Sequence, residues 1–243
     1  MWRERKPSCK ATVESKKQAM IFAAGLGTRL KPLTDTMPKA LVPVAGQPLL
    51  WHVAMKLRAA GFERIVVNVH HFASQIVDYL KANGNFGLDI RISDETGGLL
   101  ETGGGIKKAL PLFDPSAPIL IHNVDILSNV DLNALYHLAC EDGADALLLV
   151  SRRKTKRYLL FNDDHVLQGW TNIETGEVRG LDNLQLPIHI SQLAIDNFQF
   201  SIFPPRLLRH SRALAPGVPP LQRDARPLRH HRLLPEVLSP VCL

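Results

Sequence analysis

Residues 19–50, AMIFAAGLGTRLKPLTDTMPKALVPVAGQPLL, decide how the chain is read. AMIFAA is a short, unbroken apolar run of the kind a fully buried parallel strand needs, and it ends at Gly25. A glycine loop follows, presenting Arg29 and then, ten residues later, Lys39 behind Pro38. Gly25 and Gly27 let backbone N–H groups approach a phosphate without a Cβ in the way. The loop is no Walker A sequence, because no Gly-Lys-Ser/Thr follows. Nor is it a dinucleotide fingerprint, because Leu30 stands where the sixth position needs Gly or Ala. By itself a Gly-x-Gly after a strand fits a plain turn as well as a phosphate cradle. The two cations shift the balance: Arg29 offers a fork suited to phosphate oxygens, and Pro32 and Pro38 shape the approach to Lys39.

Outward from this stretch, strand and helix patterns alternate. PLLWHVAMKLRAAG (48–61) repeats apolar residues at helical spacing and stops at glycine; RIVVNV (64–69) reads as a strand and ASQIVDYLKANG (73–84) as a helix. LDIRIS (88–93) is a strand, GGGIKKALPLF (103–113) opens a helix, and PILIHNVDI (118–126) is a buried strand with a polar end. VDLNALYHLACEDG (130–143) is a helix and ADALLLVS (144–151) a strand. This rhythm predicts an α/β fold with a doubly wound, mostly parallel sheet. RYLLFND, HVLQGW and GEVRG, within residues 157–180, then predict a small antiparallel meander. Ligands of open parallel sheets bind beyond the carboxyl ends of the strands, where GLGTR, ETGGG and HNVD converge.

Composition narrows the function classes. A chain of 243 residues buries a core without staples, and Cys9, Cys140 and Cys242 have neither CxxC nor zinc spacing. We read a cytoplasmic protein without a disulfide framework. No apolar run reaches the length of a membrane span, so no membrane partner is expected. The net charge of +6 owes much to arginines in residues 201–243, so nucleic acid is not an expected partner either. Residues 1–17 form a polar, basic extension with no face to bury, expected to be disordered. The charged residues elsewhere have plain readings: Asp94 and Glu95 as loop caps, Glu101 as a carboxylate at a helix N-terminus, and His122 with no role.

AAGLGTRLKPLT…PKALVPVAGQPLL, LLETGGGIKKALPLF and HNVDIL, in that order, resemble the signature of sugar-1-phosphate nucleotidyltransferases, also called nucleotide-sugar pyrophosphorylases. The likeness runs from about Lys17 to Trp170, and its pattern is most similar to N-acetylmuramate-1-phosphate uridylyltransferases and mannose-1-phosphate guanylyltransferases. It implies a Rossmann-like domain over residues 18–200 that transfers a nucleotidyl group from a nucleoside triphosphate to a sugar 1-phosphate. The products are an NDP-sugar, a precursor of envelope or glycan synthesis, and pyrophosphate. It further implies Ala23, Ala24, Gly25, Gly27, Thr28, Arg29, Gly103 and Gly104 as nucleotide-binding residues, and Arg29 and Lys39 as catalytic cations. Asp125 is implied as the ligand of Mg²⁺. A non-catalytic nucleotide or nucleotide-sugar binder is the alternative.

Residues 201–243 break the pattern. Proline and arginine crowd together, no lysine follows Lys156, and the family's late Trp-x-Asp-x-Gly segment, source of a second metal ligand, is not found. Such composition predicts a disordered or aberrant tail. We read the tail as the product of out-of-frame translation, with an expected onset between about Leu184 and Phe203. Codons for HHRLLPEVL exist that, moved by one nucleotide, give IIDFYLKS, and IIDFYL resembles the relatives at this point. The expectation is a feebly active or inactive chain.

Overall fold

The computed structural model describes residues 16–142, 146–149, 154–162 and 167–180, with backbone strands at 191–194, 200–203, 231–233 and 241–242. Residues 1–15 of the extension drawn at 1–17, and most of the tail expected to be aberrant, lie outside the described residues.

The predicted alternation is present. The elements are β1 (Gln18–Phe22), α1 (Leu49–Ala59), β2 (Arg64–Val69), α2 (Ala73–Ala82), β3 (Asp89–Asp94), α3 (Glu101–Ala109), β4 (Ile119–Asn123), α4 (Leu132–Asp142) and β5 (Ala146–Leu148). The meander is β6 (Arg157–Phe161), β7 (Leu167–Asn172) and β8 (Glu177–Gly180), and β9 (Ser191–Ala194) extends it on the β6 side. Two later strands, β10 (Phe200–Phe203) and β11 (His231–Leu233), enter the main sheet. Its order is β11-β5-β10-β4-β1-β2-β3. The β4-β1-β2-β3 part is parallel; β10 lies antiparallel between β4 and β5.

Burial follows from strand periodicity. In β1, Ala19 and Ile21 point into one core layer and Met20 into the other. Ile65 and Val67 against Val66, and Leu120 against Ile119 and Ile121, repeat the alternation. The first layer is covered by the apolar stripes of α1 (Leu49, Leu50, Val53, Ala54 and Leu57), α2 and α4, the second by α3 through Ile106 and Ala109. Both faces are therefore occupied, as a doubly wound sheet requires. Leu57 is fully buried, and truncating it to alanine would cost about 2–5 kcal/mol.

A buried polar residue fixes the start of the central strand. Gln18 is 1% exposed, yet its amide nitrogen donates to the carbonyls of Asp114 (2.7 Å) and Ala117 (2.9 Å), and its amide oxygen accepts from Asp114 N–H (2.9 Å). The amide thus meets its needs without water and ties β1 to the chain entering β4. Among the described residues no helix is long and apolar enough to cross a membrane.

Candidate active site

The chain passes from β1 outward through β2 to β3, and then returns over α3 to place β4 on the other side of β1. The sheet reverses its winding between β1 and β4, and a crevice opens beyond their carboxyl ends. The register makes this concrete: Phe22 stands beside Asn123 on one side and Asn68 on the other. Val124 N–H donates to Phe22 carbonyl at 3.2 Å, so the chain leaving β4 emerges against the glycine loop. Asp125 is therefore a neighbour of the loop by sheet topology.

The crevice has a volume of about 240 Å³, and Ala23, Ala24, Gly25, Arg29, Lys39 and Asp125 all line it. Lys39 sits at the head of a 3-10 turn, Lys39–Leu41. Pro38 enters that turn in extended conformation (φ −69°, ψ 148°), and buried Ala40 and Val42 anchor it. The lysine ammonium donates to Asp125 Oδ2, both side chains being about four-fifths buried. Arg29 lies in the short turn Thr28–Leu30 and is exposed at the mouth.

The two loop glycines differ in what they do. Gly25 faces open space: a Cβ there would meet nothing within 4 Å. Gly27 holds φ 65°, and a Cβ would come within 2.8 Å of Thr34 Cγ2 and 3.1 Å of Lys39 Cβ. Its carbonyl accepts from Leu30 N–H and from Thr34 Oγ1, both at 2.9 Å. Gly27 shapes the loop by close packing, while Gly25 leaves backbone accessible. Gly27, Thr28, Gly103 and Gly104 are not among the residues lining the crevice; Glu101 and Thr102, at the start of α3, are. Glu101 carries φ 58°, a left-handed conformation uncommon for a residue with a side chain.

Asn68, Glu95 and Leu99 also line the crevice. Glu95 is 1% exposed, too deep for a loop cap at the surface. The signal that could have marked it was the polar Asn68 inside the apolar strand RIVVNV, which needed a buried partner. His122 is buried in β4, and desolvation lowers its pKa to about 4, so it is neutral at pH 7. Among the described residues no three His, Cys, Asp or Glu side chains are grouped to hold a metal; Asp125, Glu95 and Glu101 are the carboxylates that line the crevice.

Residues 18–164 match the nucleotidyl transferase family. The chain belongs to that family. Among curated relatives, it is 46% identical over 123 residues to the N-acetylmuramate alpha-1-phosphate uridylyltransferase of Neisseria meningitidis serogroup B, covering 50% of this chain and 52% of that one. It is 50% identical over 114 residues to the enzyme of the same name from Caulobacter vibrioides, covering 46% and 47%. The chain spans about half the length of these curated relatives. Solved structures share the nucleotidyl transferase fold at low identity. HddC from Yersinia pseudotuberculosis superposes with TM-score 0.62 at 21% identity, covering 80% of this chain and 79% of that one. A UDP-glucose pyrophosphorylase complexed with UDP-glucose gives 0.58 at 16%, covering 83% and 81%.

Proposed function

We propose that this nucleotidyl transferase joins a nucleoside monophosphate unit to a sugar 1-phosphate and releases pyrophosphate. The observation that carries the reading is the meeting of Arg29, Lys39 and Asp125 with the open backbone at Gly25 in one crevice at the sheet's switch point. The names of the relatives that share the sequence, uridylyltransferases of sugar 1-phosphates, supply the substrate class.

The chemistry asks little covalent work of the protein. An anionic oxygen of the sugar 1-phosphate attacks the α-phosphorus in line. The bond from that phosphorus to the bridging oxygen breaks, and pyrophosphate leaves with its electron pair. No proton has to be removed from the nucleophile, so the site needs cations and orientation in place of a general base. Ala23, Ala24, Gly25, Gly27 and Thr28 form the loop for the triphosphate, with Arg29 on its β- and γ-phosphates and Lys39 near the α-phosphate. Gly103 and Gly104 stand on α3 directly after Glu101 and Thr102 of the crevice lining, on the side given to base and sugar in this reading.

The donor set fits a hard divalent cation. Asp125 presents a carboxylate oxygen at a strand end inside the crevice, and Mg²⁺ is commonly held by one or two carboxylates with phosphates and water. Bound there, Mg²⁺ supplies neutralisation of phosphate charge. Asp125 would hold the ion, and Lys39, which pairs with that carboxylate, would place its ammonium beside the same phosphate charge.

The test is pyrophosphate release across pairs of nucleoside triphosphate and sugar 1-phosphate. Turnover with at least one pair supports transfer. Nucleotide binding without turnover on any pair supports the alternative, a non-catalytic binder.

A further inference from the structure

Asn68 and Glu95 belong to the lining of the crevice, and each has its polar atoms committed in two directions. Asn68 Oδ1 accepts from the backbone N–H of Ala23 (2.8 Å) and Ala24 (3.3 Å), the first residues of the nucleotide loop. Asn68 Nδ2 donates to Glu95 Oε1 at 2.9 Å. The other carboxylate oxygen, Oε2, accepts from Leu100 N–H at 3.3 Å, on the residue before α3. The backbone of Glu95 adds further ties: its N–H donates to Val69 carbonyl (2.8 Å), and its carbonyl accepts from Gly98 N–H (2.9 Å) and meets His70 Nδ1 (2.7 Å).

Helix α3 rests directly on this pair. A Cβ on Gly105 would stand 2.9 Å from Glu95 Oε1, 3.4 Å from Asn68 Nδ2 and 3.4 Å from Phe22 Cε1. Asn68 is 2% and Glu95 1% exposed, so water does not compete for these contacts. The chemistry also fixes the polarity. Two backbone donors demand an acceptor from Asn68, which leaves its NH₂ to face Glu95, and only an acceptor there suits both that NH₂ and Leu100 N–H.

We infer that Asn68 and Glu95 are positioning residues that clamp the Ala23–Ala24 end of the nucleotide loop to the Leu100–Gly105 end of α3 at a fixed separation. The two walls are far apart in the sequence, one at the start of the domain and one near its middle, and this side-chain chain joins them within the crevice lining. A shift of about 1 Å between groups that hold two reactants costs roughly 10²-fold in rate. The clamp therefore acts on turnover through backbone it holds, without touching the reacting phosphorus. Its kinetic consequence rests on the transfer reaction proposed above; its structural consequence does not.

Hydrogen exchange on the full chain, paired with pyrophosphate release, separates the two. Glu95→Ala is expected to raise amide exchange about tenfold at Leu100 and also at Ala23 and Ala24, which Glu95 does not contact. Glu95→Gln keeps the shape but sets a donor against either Asn68 Nδ2 or Leu100 N–H, so one wall loosens. Its kcat should fall about 10–100-fold while KM for the triphosphate moves less than about threefold. Glu95→Ala with Ala23 and Ala24 as protected as in the parent overturns the clamp. If Glu95→Ala does not fold, Glu95→Gln decides: unchanged exchange at Ala23, Ala24 and Leu100 overturns it. A parent without turnover on any pair defeats the transfer reading, and the exchange result still decides the clamp.

Discussion

Lys39 donates to Asp125 across the crevice, from 86 positions earlier in the chain. One residue stands on the loop after β1 and the other on the chain leaving β4, so the pair closes the switch point of the sheet. The contact joins the cation proposed to face the α-phosphate to the carboxylate proposed to hold a metal. Each keeps the other satisfied in a largely buried place.

Lys39→Ala and Arg29→Ala each remove a cation facing phosphate charge. Losses on the order of 10²–10³ in turnover are expected, as for other lost charge-stabilising donors. Steady-state pyrophosphate release measures them. Rates equal to the parent in both variants would place the chemistry elsewhere.

Asp125→Asn keeps an acceptor for Lys39 but replaces a hard anionic ligand by an amide, a poorer partner for Mg²⁺. The MgCl₂ concentration for half-maximal rate should rise at least several-fold. A Mg²⁺ titration that superposes on the parent's would remove Asp125 from the metal site.

The two loop glycines should separate stability from binding. Gly27→Ala forces a side chain into a left-handed backbone and against Thr34 Cγ2, a loss of about 1–3 kcal/mol measurable by thermal or urea unfolding. Gly25→Ala has open space around it, so stability should change by less than about 0.5 kcal/mol. Its effect should appear as weaker triphosphate binding. The reverse pattern would mean that the roles are exchanged.

Buried His122 makes stability pH-dependent. Its folded pKa is lowered by burial from 6.5 to about 4, so between these values the unfolded chain binds a proton that the native chain refuses. Stability is fully present above the unfolded value and falls as pH drops towards 4. The loss from this group is about 2 kcal/mol at pH 5. His122→Asn should show a shallower fall in unfolding free energy between pH 7 and 5; an equal slope would assign the dependence to other groups.

Much of the fold was legible because β1, β2 and β4 carry continuous apolar runs, the mark of strands buried on both faces, between helices of clear period. Asp125 was reached through the HNVD motif at a strand end, and Arg29 and Lys39 through their spacing from the glycine loop. What escaped depended on register. Nothing local to Glu95 says that its carboxylate reaches Asn68, because that contact arises from β2 and β3 lying side by side. The start of α3 was expected at Gly103, yet the helix begins at Glu101. Three consecutive glycines argue against helix, and the tight fit of Gly105 over Glu95 and Asn68 shows why a small residue is needed there. Strand β10 lies at the boundary drawn between the domain and its tail, where alternation is too short to signal an antiparallel insertion.

The reading of the tail as out-of-frame translation has its own check in the transcript. Codons for residues 230–236 that cannot be read as IIDFYL in the alternate frame would contradict it. If the reading holds, restoring the frame should raise both solubility and Mg²⁺-dependent turnover of the chain.

The central claim is that the crevice holding Arg29, Lys39 and Asp125 transfers a nucleotidyl group to a sugar 1-phosphate. The most direct measurement is pyrophosphate release by the 243-residue chain and its Lys39→Ala variant, crossing several nucleoside triphosphates with several sugar 1-phosphates, with and without Mg²⁺. The account predicts slow, Mg²⁺-dependent release for at least one pair, lowered on the order of 10²-fold or more in the variant. Release that ignores Mg²⁺ and the loss of Lys39, or no release above background from any pair even with the frame restored, would contradict it.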